Sequence, residues 1–143
     1  MDLTTHSYRF ADEVLASSAF RTARDEAFDI LRRLPPLPYG QRPWSKTSPR
    51  SASEHPIEQA AMNRWLDEEF VSKGWEVHPL IIEGSNLAAD FRKDRIQVEV
   101  QFGNMARWTH DVFKFQVCYS QNTVDIGILA LPMAWFCPYI NSN

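Results

Sequence analysis

Asp90 and Glu99 are the residues whose type and spacing point most directly to chemistry. They fall in Asp90-Phe91-Arg92-Lys93-Asp94-Arg95-Ile96-Gln97-Val98-Glu99-Val100-Gln101. From Arg95 to Phe102 polar and apolar residues alternate, which puts Ile96, Val98 and Val100 on one face of a strand and Gln97, Glu99 and Gln101 on the other. A preceding strand, Leu87 to Phe91, joined through the polar turn Arg92-Lys93-Asp94, sets Asp90 beside the middle of the second strand. The two carboxylates then meet at one edge of a sheet. Carboxylates brought together without cations repel each other. A hard divalent ion such as Mg²⁺ resolves that repulsion, because it takes one or two carboxylates, keeps waters and accepts phosphate oxygens. The plainer reading is a pair of ordinary exposed strand acids.

A further acid stands on a helix. Pro56 suits a first helical turn, and the helix it opens runs to about Ser72, with Gly74 ending it. Ile57, Ala61, Met62, Trp65, Leu66 and Phe70 cover one apolar arc, and Glu58 falls in its middle. A glutamate on a core-facing arc is costly unless paired or metal-bound. Favourable interaction with the helix dipole at the first turn is the structural alternative. Glu69, at the far end of the arc, reads as structural.

The elements that must position these acids follow from periodicity. Ala11 to Ala16 and Ala19 to Leu34 read as helices, stopped by Pro35-Pro36. Residues 35–55 carry repeated prolines and basic residues and read as an exposed linker or a phosphate-contacting loop. Trp75 to Ile82 has strand character, with a turn at Gly84-Ser85-Asn86. Met105 to Tyr119 returns to helical period, with Met105, Trp108, Val112, Phe115 and Tyr119 on one face, and Thr123 to Leu131 is a continuous apolar run of the buried central kind. Helix, helix, three strands, helix, strand gives an α/β fold, a small mixed sheet flanked by helices. One domain is expected over 1–143: an N-terminal helical region 1–34, the loop 35–55, a core 56–132 and a short tail 133–143.

Composition narrows the function classes. The chain has 143 residues, 44% of them hydrophobic, with a net charge of -3, so a single packed domain is expected and disorder is not. Two cysteines, Cys118 and Cys137, cannot staple a domain of this size and read as free thiols. The longest apolar stretch, Ile126 to Phe136, is too short to cross a membrane and holds Pro132. The first residues show no basic-then-apolar secretory pattern, and a cytoplasmic protein is expected. Fifteen basic against eighteen acidic residues argue mildly against a non-specific nucleic-acid coat.

Asp90, eight intervening residues, then Glu99-Val100-Gln101 resembles the PD-(D/E)XK nuclease motif, with Gln101 where most members carry lysine. With Phe102-Gly103-Asn104-Met105-Ala106-Arg107-Trp108, Asp111-Val112-Phe113-Lys114-Phe115-Gln116 and Val124-Asp125-Ile126-Gly127-Ile128-Leu129-Ala130-Leu131-Pro132, residues 56–132 resemble the BglII-type restriction endonucleases. The resemblance implies a restriction-endonuclease-like core. It also implies Mg²⁺-dependent hydrolysis of double-stranded DNA by a homodimer at a short, GATC-centred palindrome. Asp90, Glu99 and the backbone carbonyl of Val100 would then hold the metal, Gln101 would orient the attacking water, and Glu58 would match a helix position that often supplies another acid. Family members run further past the strand ending at Pro132, so a short or minimal member is expected. The rival expectation is a catalytically weak DNA-binding or assembly protein that keeps the fold. Arg107 and Lys114, with Asn104 and Lys46, are the expected DNA contacts, since charge-assisted phosphate contacts supply most DNA affinity. His110 reads as solvated on the polar face of its helix, His55 as a cap or loop residue, and His78 has no assigned role. Trp108 and Trp135 read as core or dimer contacts.

Overall fold

The computed structural model describes residues 2–37, 57–102 and 107–141. The loop expected over 35–55 lies largely outside this range, and so do Lys46 and Asn104.

Two helices open the chain, α1 (Ala11–Leu15) and α2 (Arg21–Arg33). Ala23, Ala27, Ile30 and Leu31 are buried on one stripe of α2, the spacing of a surface helix laid on a core. Its polar end is tied down by Arg33, which donates to Asp29 at 2.8 Å and to Glu69 at 2.7 Å.

Strand β1 (Ile57–Glu58) leads directly into α3 (Gln59–Ser72). This corrects the expected helix start. Ile57 and Glu58 are extended because they pair in parallel with Ile140 and Asn141 of β6 (Ile140–Asn141), and the Glu58 N–H donates to the Leu37 carbonyl. Helix α3 ends as its glycine suggests. Gly74 takes φ 75°, the Gly74 N–H bonds Val71 and the Trp75 N–H bonds Phe70. That is a Schellman closure, with its hydrophobic contact made by Trp75 edge-on to Phe70 at 5.1 Å.

The main sheet runs β2 (Glu76–Val77), β3 (Phe91–Lys93), β4 (Ile96–Val100) and β5 (Ile126–Ala130), antiparallel except for the β4–β5 pair. The strands expected over Trp75–Ile82 and Leu87–Phe91 are shorter than the sequence suggests. His78 sits at φ 53° and turns the chain out of the sheet. Pro79 has no N–H to donate, and only a Leu80–Ala88 bridge spans the gap beyond. Arg92 and Lys93 belong to β3 rather than to the turn. The hairpin reverses through Asp94 and Arg95, both at positive φ (47° and 65°), as in a type I′ turn. Arg95 is held there by a fork onto Asp125, both bonds 2.6 Å, and by Asn122. That fork ties the hairpin to the start of β5.

Helix α4 (Trp108–Ser120) carries the chain across from β4 to the parallel β5. Its inward face is Asp111, Lys114 and Cys118, while Trp108, Val112 and Tyr119 are exposed; of the two readings of Trp108, core or dimer contact, the core one fails. The reason lies in what it covers. Gln97 and Glu99 point to that side of β4 and are fully buried, so the matching helix face must be polar. Gly127 lets α4 approach closely: a Cβ there would stand 2.6 Å from the Phe115 ring. Strand β5 is an edge strand among the described residues, not a central one, and much of it is only partly buried. The opposite face of the sheet, with Phe91, Ile96, Val98 and Ile126, packs on α2 and α3 through Ala27, Ile30, Met62, Leu66 and Phe70. Among the described residues no helix is long and apolar enough to cross a membrane.

Candidate active site

The β3–β4 register pairs Phe91 with Val98, and one step further sets Asp90 across from Glu99. The Asp90 side chain is fixed there, since its Oδ2 accepts the Val100 N–H at 2.8 Å. The Asp90 carbonyl accepts the His78 N–H at 2.9 Å. Asp90 therefore sits at the end of β3 with both its backbone and its carboxylate anchored.

Glu99 is 0% exposed, which excludes the reading of ordinary surface strand acids. Its Oε1 accepts the Gln97 Nε2 and its Oε2 accepts the Lys114 Nζ, both at 2.6 Å. Lys114 also lies 3.2 Å from Asp111 Oδ1. The network is rich in charge and short of donors. Gln97 Oε1 and Asp111 Oδ2 are buried with no hydrogen-bond partner among the described residues.

Burial and its neighbours set the proton affinities. Burial, reinforced by the charge of Asp90, pushes the Glu99 carboxyl up to about 7 against the opposing pull of Lys114 and Gln97. Burial also raises Asp90, with Val100 N–H and Lys114 working against it and Asp111 adding to it. Burial alone would lower the Lys114 ammonium, but the hydrogen bond and charge of Glu99, with Asp90 and Asp111, outweigh it and raise its pKa. Both carboxyl shifts arise chiefly from burial, which disfavours the charged carboxylates.

These groups open onto a cleft of about 240 Å³, lined by Asp90, Val100, Gln101, Asp111 and Lys114 on the sheet and α4 side. Gln59, Asn63 and Asp67 line it from α3, and His78 from the loop after β2. His78 Nε2 lies 3.3 Å from Asp67 Oδ1 on the rim. The spacing of 59, 63 and 67 on one helical face was a readable signal for that wall; for His78 the strand pattern offered none.

Of the residues singled out from sequence, Asp90, Val100, Gln101 and Lys114 line one cleft, with Glu99 beneath it. Glu58 does not line it. Glu58 is the residue preceding α3, 3.8 Å from Arg64, and makes no side-chain capping bond; the helical arc that centred it assumed a helix beginning one turn too early. Arg107 is exposed at the start of α4, whereas Lys114 is interior rather than on a solvated face. His110 is exposed.

Among the described residues no three of His, Cys, Asp and Glu gather into a ready metal cluster. The donors at hand are hard oxygens: two carboxylates on adjoining strands, a neighbouring backbone carbonyl and the orphaned Asp111 Oδ2. Such a set suits a Mg²⁺-like ion that keeps several waters.

Comparison with known proteins adds the lineage. A search of curated proteins returned no match. Among solved structures, the crystal structure of restriction endonuclease BglII complexed with a DNA 16-mer is similar, with a TM-score of 0.65 and 21% sequence identity. The similarity covers 85% of this chain and 55% of that one, so the chain spans little more than half the length of its structural neighbour. The likeness supports the expected fold, the small mixed sheet flanked by helices of the restriction-endonuclease core. The family model for restriction endonuclease BglII/BglIII matches residues 3–139. The chain, matched over nearly its whole length, belongs to the BglII/BglIII restriction endonuclease family.

Proposed function

We propose that the chain is a Mg²⁺-dependent endodeoxyribonuclease that hydrolyses phosphodiester bonds in double-stranded DNA at a short palindrome, acting as a homodimer in the cytoplasm. The observation that carries this reading is the pairing of Asp90 with the buried Glu99 at one end of a cleft, in a chain of this family.

The residues that would hold the ion are Asp90, Glu99 and the Val100 carbonyl. When bound, the ion lowers the pKa of a water and neutralises charge on the phosphate. The chain's own residues do the rest. The Val100 N–H fixes the rotamer of Asp90, so that one carboxylate oxygen is spent on the backbone and its orientation is set before substrate arrives. Gln97 and Lys114 do the same for Glu99. Gln101, whose N–H is bound to the Ala130 carbonyl, presents a neutral amide to the cleft and orients the attacking water by hydrogen bonding. It brings no charge, so stabilisation of the phosphate falls to cationic groups. Arg107, exposed at the start of α4, is a DNA-backbone contact reachable from the surface, with Lys46 and Asn104 assigned to the same role from sequence and Lys114 placed inside the cleft.

The homodimer is supported by α4, which turns Trp108, Val112, Phe113 and Tyr119 to solvent in the single chain. Trp108, Val112 and Tyr119 share one helical face, and an exposed apolar stripe of this kind suits an interaction site.

Incubation with supercoiled plasmid in Mg²⁺ and in EDTA tests the reading. Discrete fragments in Mg²⁺ alone are expected. Asp90→Ala and Glu99→Ala should each slow cutting by on the order of 10²–10³ or more, the scale of losing one electrostatic group at a reacting phosphate. DNA binding without cleavage at any Mg²⁺ concentration would favour the rival, a binding protein that retains the fold.

A further inference from the structure

Lys114 is an expensive residue to place where it is. It is only 9% exposed, and an unpaired ammonium there would cost several kcal/mol of lost hydration. It is not unpaired: its Nζ lies 2.6 Å from Glu99 Oε2 and 3.2 Å from Asp111 Oδ1, and it feels the charge of Asp90 as well. The ammonium thus stands among three carboxylates, Asp90, Glu99 and Asp111, on an oxygen that an incoming cation would need.

Two further observations bear on what it does there. Lys114 lines the cleft and is the one lysine or arginine among the described residues that do so, while Gln101 is neutral. Asp111 Oδ2 is buried without a hydrogen-bond partner among the described residues. An acid already in contact with the ammonium therefore has bonding capacity to spare.

Building on the metal-dependent reading above, we propose that Lys114 is a resident cation, which holds Glu99 and Asp111 together in the metal-free protein, yields Glu99 to an entering divalent ion by shifting onto Asp111, and from there faces the substrate phosphate with the fixed positive charge that Gln101 lacks. Before metal enters, Lys114 keeps the buried acids from repelling one another. After it enters, the same charge opposes the ion, because both compete for Glu99. Lys114 is a positioning residue in the first state and a phosphate-facing one in the second.

Competition separates this role from a merely structural one. A structural lysine, once removed, leaves the acids less ordered and the metal held no better. A competing lysine, once removed, leaves the metal held more tightly. Calorimetric titration of the full chain with Ca²⁺, without DNA, measures this directly. It should be run from pH 7 to 9.5, so that the affinity plateau above the carboxyl titrations is read. At that plateau Lys114→Met should bind Ca²⁺ at least about tenfold more tightly than the parent, the low end of what one opposite charge at this range does to a carboxylate. Ca²⁺ should also raise the melting temperature of Lys114→Met more than that of the parent. Plasmid cutting in Mg²⁺ should nonetheless fall. If Lys114→Met does not fold without cation, Lys114→Gln, which keeps a donor to Glu99, is titrated in its place. Equal or weaker Ca²⁺ binding by the variant would overturn the resident-cation role and leave the metal-dependent reading standing. Ca²⁺ binding by neither protein would overturn both.

Discussion

Glu99→Gln should make the metal-free protein more stable at pH 8, although it breaks an ion pair with Lys114. Glu99 titrates at about 7 in the folded chain, against an ordinary 4.5, chiefly because it is buried and faces Asp90. A carboxyl raised by folding contributes stability below its unfolded pKa and loses it as pH climbs through its folded one. The window is therefore pH 4.5 to about 7. At about 1.36 kcal/mol per pH unit, the gap corresponds to roughly 3 kcal/mol. Asp90 is displaced in the same direction and has the same sign. Asp12 and Asp125, whose carboxyls are lowered by Ser7 and Arg95 respectively, act at more acid pH, below 3.8, and do not confuse the comparison. Urea denaturation of both proteins in EDTA, at steps from pH 4.5 to 8, isolates Glu99 as a difference. The two should be nearly equal at the acid end, with the variant gaining roughly 3 kcal/mol by pH 8. Saturating Ca²⁺ should close the gap by stabilising only the parent. A parent that holds or gains stability relative to Glu99→Gln across this range would refute the account of Glu99 as an acid whose charged form is disfavoured by burial and by Asp90.

Other consequences can be measured as directly. Gly127→Ala, whose new Cβ would meet the Phe115 ring at 2.6 Å, should cost about 1–3 kcal/mol in urea denaturation; an unchanged midpoint would mean that α4 has room to move off the sheet. Val112→Glu, on the exposed apolar stripe of α4, should convert dimer to monomer in sedimentation velocity, and a variant that stays dimeric would put the interface elsewhere. Gln101→Ala should slow plasmid cutting by about 10- to 100-fold, the scale of a residue that orients rather than holds the reacting groups, and so less than Asp90→Ala; an equal or larger loss would mean that the amide does more than orient water.

That Asp90 and Glu99 share a face was legible, because alternation decides it locally. Their register was not: the turn read at Arg92-Lys93-Asp94 would set Asp90 across from Ile96, whereas the chain reverses at Asp94-Arg95 and pairs Phe91 with Val98. Helix α4 shows where such reasoning stops. Its period is plain, but the period does not say which face turns inward; the sheet surface it covers carries Gln97 and Glu99 and asks for Lys114 and Asp111 there. The start of α3 misled for a different reason. Pro56 and the apolar arc read as helix, yet Ile57 and Glu58 are held extended by β6, a partner far along the chain that no local pattern reveals. Asn63 and Asp67 were within reach, at helical spacing on the side away from the core. His78 was not, since the left-handed turn that swings it onto the cleft rim interrupts an apparently regular strand.

The central claim is that Asp90, Glu99 and the Val100 carbonyl together make a divalent-metal site. Anomalous diffraction from crystals of the chain soaked in Mn²⁺ tests it most directly. A manganese peak is expected within bonding distance of both carboxylates and that carbonyl, with Lys114 withdrawn from Glu99 toward Asp111. A peak elsewhere in the molecule, or none at saturating Mn²⁺ while the Lys114–Glu99 bond stays closed, would contradict it.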